Sequence, residues 1–313
     1  MNLLLYWVVR SLMALLQALP LKVVAQLGRA GGLLWWMLDF KHSKLVLTNL
    51  THAFPERTRH ELRAIARETF QRIAENGFAA VKTASMTRDE IDAVAQITGL
   101  DKIPKYIGPD GPANCIAAIG HFGNFELYTI IGSHADGWKG AATYRGMNQP
   151  GFNRIVQQMR ERSGCRFYER RTEAGALKEA LSKGGMLLGL LSDQRPGKGG
   201  VIVPFLGRDC ATTTAPAVFA LRYNAPLFPI ICYRVALGRW RIEFGNEIPL
   251  RENGQARSLE AIMTDVNRAF EAAVRRDPAN WFWVHNRWKQ RKVRPGADVP
   301  AAGPEAEPGF PSA

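Results

Sequence analysis

The residues best equipped for chemistry lie in one stretch, His121-Phe122-Gly123-Asn124-Phe125-Glu126. It follows Cys115-Ile116-Ala117-Ala118-Ile119-Gly120, a mostly apolar run that reads as a buried strand. A strand-end loop is where a rigid scaffold presents reactive groups to a cleft. On one continuous helix, residues five apart diverge by about 140°. If the chain instead leaves the strand at Gly120 and enters a helix near Asn124, His121 and Glu126 can share a hydrogen bond. That arrangement gives a general base oriented by a carboxylate. The plain alternative is a loop histidine satisfied by its neighbours. Gly123 and Asn124 fall where the helix would begin. Either their backbone N–H groups face a developing oxyanion, or Asn124 simply caps the helix.

Two further strand ends carry polar groups. Arg145 follows the strand expected at 139–144 and lies close in sequence to Asn148 and Asn153. A guanidinium there can clamp a phosphate or a carbonyl bidentately; on composition alone it is a solvated arginine. Asp193, Gln194 and Arg195 end the apolar strand Met186–Leu191. Asp193 either supports His121 or holds acceptor hydroxyls. Gly197, Gly199 and Gly200 allow close backbone approach, or merely a turn.

Alternating elements must position these groups. Strands are expected at 115–119, 139–144, 166–168, 186–191, 227–235 and 239–245. Helices are expected at 124–134, 150–163, 172–182, 212–223, 257–276 and, rich in tryptophan, 278–289. A loop fills 193–209. Such alternation implies an α/β sheet covered by helices. Upstream, 56–82 has a helical apolar period, and a short helix at 87–96 follows the cap-like Thr87. Residues 3–19 and 31–38 are strongly apolar, the first broken by Arg10, Ser11 and Gln17. Neither reaches the roughly 20 apolar residues of a spanning helix. They are expected to form a retained N-terminal anchor, in the interface or crossing obliquely; a buried helix is the alternative. Residues 294–313 are proline-rich and expected to be disordered.

The 313 residues suit one large domain, or one domain with a helical extension, and the net charge is +13. Such a surface favours nucleic acid, an anionic membrane or acidic substrates. No zinc-finger, RNP-like or basic-zipper pattern is visible, and nucleic acid is not an expected partner. Eight tryptophans with excess Lys and Arg suit an anionic membrane surface. Trp281, Trp283 and Trp288 with Arg287, Lys289, Arg291, Lys292 and Arg294 read as an aromatic–basic surface. The four cysteines show no C-x-x-C pair and no metal-ligand spacing. They read as reduced thiols, and no metal site is expected.

The form GHFGNFEL resembles the H-x4-D/E motif of the glycerolipid acyltransferase superfamily, and more closely that of the late acyltransferases of lipid A biosynthesis. Four other blocks extend the resemblance in order: KLVLTNLTHAFPE (44–56), Tyr144–Pro150 with Phe152-Asn153, Ser192–Gly197 through Phe205-Leu206-Gly207, and Ala225–Pro229. Trp283–Lys289 resembles the closing motif. The resemblance implies a central mixed sheet flanked by helices. It divides the chain into an anchor at 1–40, an acyltransferase domain at 41–293 and a tail at 294–313. Within the domain, a helical lead-in spans 41–112 and an α/β core 113–293. It implies transfer of a fatty acyl group from acyl-carrier protein to a hydroxyl of a phosphorylated sugar-lipid at the cytoplasmic face of a bacterial inner membrane. His121 and Glu126 would be catalytic. Gly123, Asn124, Arg145, Asn148, Asn153, Asp193, Gln194 and Arg195 would bind substrate. No cofactor is required. Val201–Leu206 either line an acyl groove or pack in the core. Another lipid acceptor, a glycerophospholipid, an aminolipid or another glycolipid, would leave the same blocks. No G-x-S-x-G elbow supports a serine hydrolase, and a binding protein that had lost the chemistry would lack His121 or its carboxylate.

Overall fold

The computed structural model describes residues 3–103, 107–108, 111–135, 137–146, 149–161, 163–197 and 199–289. Five helices lead: α1 (Leu3–Ala18), α2 (Leu21–Leu38), α3 (Phe40–Ala53), α4 (Arg59–Thr83) and α5 (Arg88–Asp92). Strand β1 (Ala95–Thr98) and a small ribbon, β2 (Ile107–Gly108) and β3 (Gly111–Pro112), follow. The alternating part comprises β4 (Cys115–Ile119), α6 (Ile131–His134), β5 (Lys139–Tyr144), α7 (Pro150–Glu161), β6 (Arg166–Glu169), α8 (Ala174–Ser182) and β7 (Met186–Leu191). A hairpin of β8 (Val201–Phe205) and β9 (Arg208–Thr212) precedes α9 (Ala215–Arg222), β10 (Leu227–Ala236) and β11 (Arg239–Phe244). A ribbon of β12 (Arg251–Glu252) and β13 (Gln255–Ala256) leads to α10 (Leu259–Arg276).

The main sheet has seven strands in the order β1-β11-β10-β4-β7-β5-β6. All neighbours are parallel except the β10–β11 pair, so the sheet is mixed, as expected. β4 is buried along its whole length. Its alternate residues belong to opposite cores: Ile116 and Ala118 to one, Cys115, Ala117 and Ile119 to the other. That two-sided burial explains its unbroken apolar sequence. β1 joins this sheet although it lies within the segment expected to be a helical lead-in.

Local signals set several helix starts. Thr58 accepts from the Glu61 amide, and the Glu61 carboxylate accepts from the Thr58 amide, opening α4 with a reciprocal cap. Thr87 and Glu90 repeat the device at α5.

The N-terminal helices pack on the domain. A Cβ on Gly32 would lie 2.4 Å from the Phe70 carbonyl oxygen, and one on Gly28 2.7 Å from Glu75 Cα. Glycine therefore lets the α2 and α4 backbones touch. Arg29 grips Glu68 through two bonds of 2.9 and 2.8 Å, and the buried Glu75 binds Arg234 and the Gly238 amide. Among the described residues no helix is long and apolar enough to cross a membrane. The oblique-span form of the expected anchor is therefore not supported.

The closing segment also differs from expectation. Pro278–Asn280 form one 3-10 turn, and further turns follow rather than a helix. Trp281 and Trp283 are buried, and their rings pack against each other and Trp288. Arg287 is buried too, donating to the Ala211 carbonyl and to Thr212 Oγ1. These side chains are core, because their apolar area is covered and the N–H groups of Trp281, Trp283 and Trp288 find internal acceptors. Arg291, Lys292 and Arg294 lie outside the described residues, as does the tail. Phe205 and Leu206 are buried in the same core, which is the packing reading of the 201–206 segment. Cys115, Cys210 and Cys232 are buried free thiols; Cys165 is half-buried.

Candidate active site

Strand register assembles the site. β4 and β7 are adjacent and parallel, with Ile119 opposite Leu191. Two residues further along each strand stand His121 and Asp193. The Asp193 carboxylate accepts from the His121 amide at 2.9 Å and meets ring Nδ1 at 2.9 Å. Trp281 Nε1 donates to the same carboxylate at 2.9 Å. Asp193 is wholly buried. Burial alone would raise its carboxyl, but the His121 charge and the donors around it hold it below the ordinary value. A carboxylate on Nδ1 leaves Nε2 as the nitrogen free for a substrate proton.

Tight backbone geometry shapes the loop. The Phe122 amide turns back to the Gly120 carbonyl at 2.8 Å. Gly123 has φ +51°, and a Cβ there would meet the Cys232 carbonyl at 2.5 Å. The 280–282 segment stitches onto the loop: Gly123 donates to the Asn280 carbonyl at 3.0 Å, and Phe282 donates to that of His121 at 3.1 Å. Asn280 is itself fixed by the Arg234 amide and the Cys232 carbonyl.

Glu126 does not orient His121. Its two oxygens are held by Arg160 Nε and Nη2, at 3.0 and 2.7 Å. The chain turns into a 3-10 helix at Phe125–Ile130, which aims Glu126 at α7 rather than back at the imidazole. Asp193, 72 residues distant in sequence, supplies the orienting carboxylate.

The Glu126–Arg160 pair borders three cavities, of about 510, 330 and 320 Å³. The largest is a mainly apolar groove that also exposes His121, with walls from α1, α4 and α7 that include Leu16, Ile73, Val156 and Met159. The second lies among the end of α4, α5, α6 and α7. The third lies over β5 and is lined by Arg145 and Arg170 at the strand ends.

The other expected site residues divide. The Gly123 amide is already engaged by Asn280, so it is not an oxyanion donor. Asn124 makes no side-chain cap; its Nδ2 is buried beside the His121 groove without a partner among the described residues. Asp193 has no exposed oxygen for acceptor hydroxyls, which leaves the His121-supporting reading. Gln194 and Arg195 are half-buried beyond it. Arg145 is exposed at the end of β5, two strands from β4. Asn153 is half-buried on α7, and Asn148 lies outside the described residues. Arg160, Trp281 and Asn280 were not singled out as site residues by local sequence, because each contributes through a contact made by distant packing. Tryptophan in the closing block was visible, but nothing local pointed it at Asp193. His285 lies near the site, and burial pushes its imidazole down to about 4, so it is neutral at ordinary pH.

A sequence model of the bacterial lipid A biosynthesis acyltransferases matches residues 1–290. The lipid A biosynthesis lauroyltransferase of Escherichia coli strain K12 is 24% identical over 292 residues, covering 91% of each chain. Five sequence blocks, a mixed sheet and a histidine held at a strand end thus agree with the match along nearly the whole chain: the protein belongs to the bacterial lipid A biosynthesis acyltransferase family.

Proposed function

We propose that the protein moves a fatty acyl group from acyl-carrier protein to a hydroxyl of a lipid A precursor, at the cytoplasmic face of the bacterial inner membrane. The observation that carries this reading is a histidine with Nδ1 committed to a buried carboxylate, placed on an apolar groove. His121 Nε2 takes the proton from the acceptor hydroxyl as its oxygen attacks the thioester carbonyl. Asp193 stabilises the imidazolium that forms. The developing oxyanion requires an N–H donor at the carbonyl oxygen. Collapse breaks the C–S bond, and the departing thiolate takes the proton from the imidazolium. An ester and a free carrier thiol result. The apolar groove suits an acyl chain, and Glu126 with Arg160 fixes its polar edge.

Membrane contact is assigned to the outer face of the N-terminal helices. Trp7, Leu12, Leu15, Leu34, Met37 and Phe40 are exposed there, with Arg10, Lys22, Lys41 and Lys44 exposed on the same helices. Apolar residues among cations favour a helix lying in an anionic interface.

The test is acyl transfer from acyl-carrier-protein thioesters to a Kdo-bearing lipid A precursor, comparing the detergent-solubilised wild type with His121→Ala. Transfer by the wild type and its loss in the variant are expected. Transfer to a different membrane lipid alone would overturn the acceptor and keep the chemistry. Full transfer by His121→Ala would overturn the base.

A further inference from the structure

We propose that Arg145 and Arg170 form the binding site for the phosphate of the donor's pantetheine arm. This rests on the acyl-thioester reading of the same active site.

The register places these arginines in line with the catalytic pair. Ala117 of β4 lies opposite Gly189 of β7, Gly189 opposite Ala142 of β5, and Ala142 opposite Phe167 of β6. From that row each strand runs on in the same direction. It reaches His121 on β4, Asp193 on β7, Arg145 on β5 and Arg170 on β6. Strands are about 4.8 Å apart, so Arg145 is roughly 10 Å and Arg170 roughly 14 Å along the edge from His121. A phosphopantetheine arm has about thirteen bonds between phosphorus and sulfur, the backbone of roughly four residues, and reaches ~14 Å when extended. A thioester at His121 therefore brings its phosphate to this pair.

Neither arginine has an ion-pair partner among the described residues. Glu169 is adjacent, but its oxygens accept from the Gly146, Arg171 and Thr172 amides and the Thr172 hydroxyl. Among the described residues the Arg170 guanidinium makes one long bond, to Thr143 Oγ1 at 3.3 Å. Burial, and the charge of Arg145, lower its proton affinity despite Glu169. A half-buried cation in that state gains from a bidentate anion.

The position favours the donor over the phosphate of the sugar-lipid. β6 is one outermost strand of the sheet. At the other side α2 covers the β10–β11 turn, where a Cβ on Gly238 would meet Leu21 and Ala25, while α1 faces α7, the helix before β6. Arg171 is exposed beside the pair and adds charge that suits a soluble acidic carrier.

The test measures binding, without turnover, of an acyl-phosphopantetheine thioether and its dephosphorylated pantetheine form to the full-length enzyme. The wild type is expected to bind the phosphorylated form about tenfold more tightly. Arg170→Gln and Arg145→Gln should each abolish that preference, and Arg170→Lys should keep part of it; melting temperatures check that the variants fold. Equal wild-type affinity for the two forms, or an undiminished preference in both Gln variants, overturns the proposal. So does a raised KM for the phosphorylated acceptor in Arg170→Gln with donor preference intact, which would give the site to the acceptor. Wild-type enzyme that transfers from no acyl thioester would sink the acyltransfer reading, a separate result from phosphate-dependent binding.

Discussion

Asp193 holds His121 at two points, the ring Nδ1 and the backbone amide, each at 2.9 Å. One bond selects the tautomer and the other fixes where the ring begins. Trp281 occupies the remaining side of the carboxylate. Asp193→Asn preserves the shape but removes the charge and offers an N–H where an acceptor is required. The expected loss is about a thousandfold in kcat, from the wrong tautomer and an unstabilised imidazolium. Steady-state transfer kinetics check this, alongside a melting curve to show that the variant folds. Activity within a few fold of wild type would mean that the pair is structural.

Glu126 and Arg160 act as one unit, since each satisfies the other across the boundary of three cavities. Glu126→Gln and Arg160→Gln should each weaken transfer. The double variant should be no worse than the more damaged single one. A double-mutant cycle is expected to return a coupling of about 1–3 kcal/mol. Simple additivity would show that Glu126 has its effect through some group other than Arg160.

Two neighbouring glycines of α2 should respond in opposite directions. Gly31 is exposed, with nothing within 4 Å of a built Cβ, so Gly31→Ala should stabilise by up to about 1 kcal/mol through helix propensity. At Gly32 a Cβ would strike the α4 backbone, so Gly32→Val should destabilise by about 2 kcal/mol or more. Urea unfolding of the detergent-solubilised protein measures both. Equal effects would mean that α2 does not pack on α4 as described.

Stability should also fall in acid through Glu68. Burial raises its carboxyl, but bonds from Arg29 and Arg72 outweigh that and lower it from 4.5 to about 2. A carboxyl lower in the folded than in the unfolded state stabilises fully above the unfolded value. That stabilisation is lost as pH falls through the folded one. Near neutrality the wild type should exceed Glu68→Gln by about 1–2 kcal/mol, allowing for partial solvent screening. The gap should close as pH falls from about 4.5 to 2. A gap independent of pH would assign the difference to packing rather than charge.

Much of the fold was legible because its causes are local. The 139–144 and 186–191 strands have the observed bounds; the second is a short, mostly apolar run bounded by glycine and polar residues. The reciprocal caps at Thr58 and Thr87 mark their helices for the same reason. The 193–209 loop hid a hairpin, because its first strand alternates poorly and contains Pro204. The tryptophans at 281–288 gave no sign of which way they face. An amphipathic ring suits an interface or a core equally, and only packing chooses.

The sequence by itself determined that a histidine stands at a strand end with a carboxylate nearby, and which family's blocks surround it. The partner of that histidine was decided by tertiary structure. Glu126 is close in the chain, yet a 3-10 turn carries it to Arg160. Asp193 is distant in the chain, yet parallel pairing of β4 with β7 sets it beside the imidazole. Sequence separation says little about distance once a sheet has formed. Register then places the strand ends side by side, and the chemistry follows from which strands are neighbours.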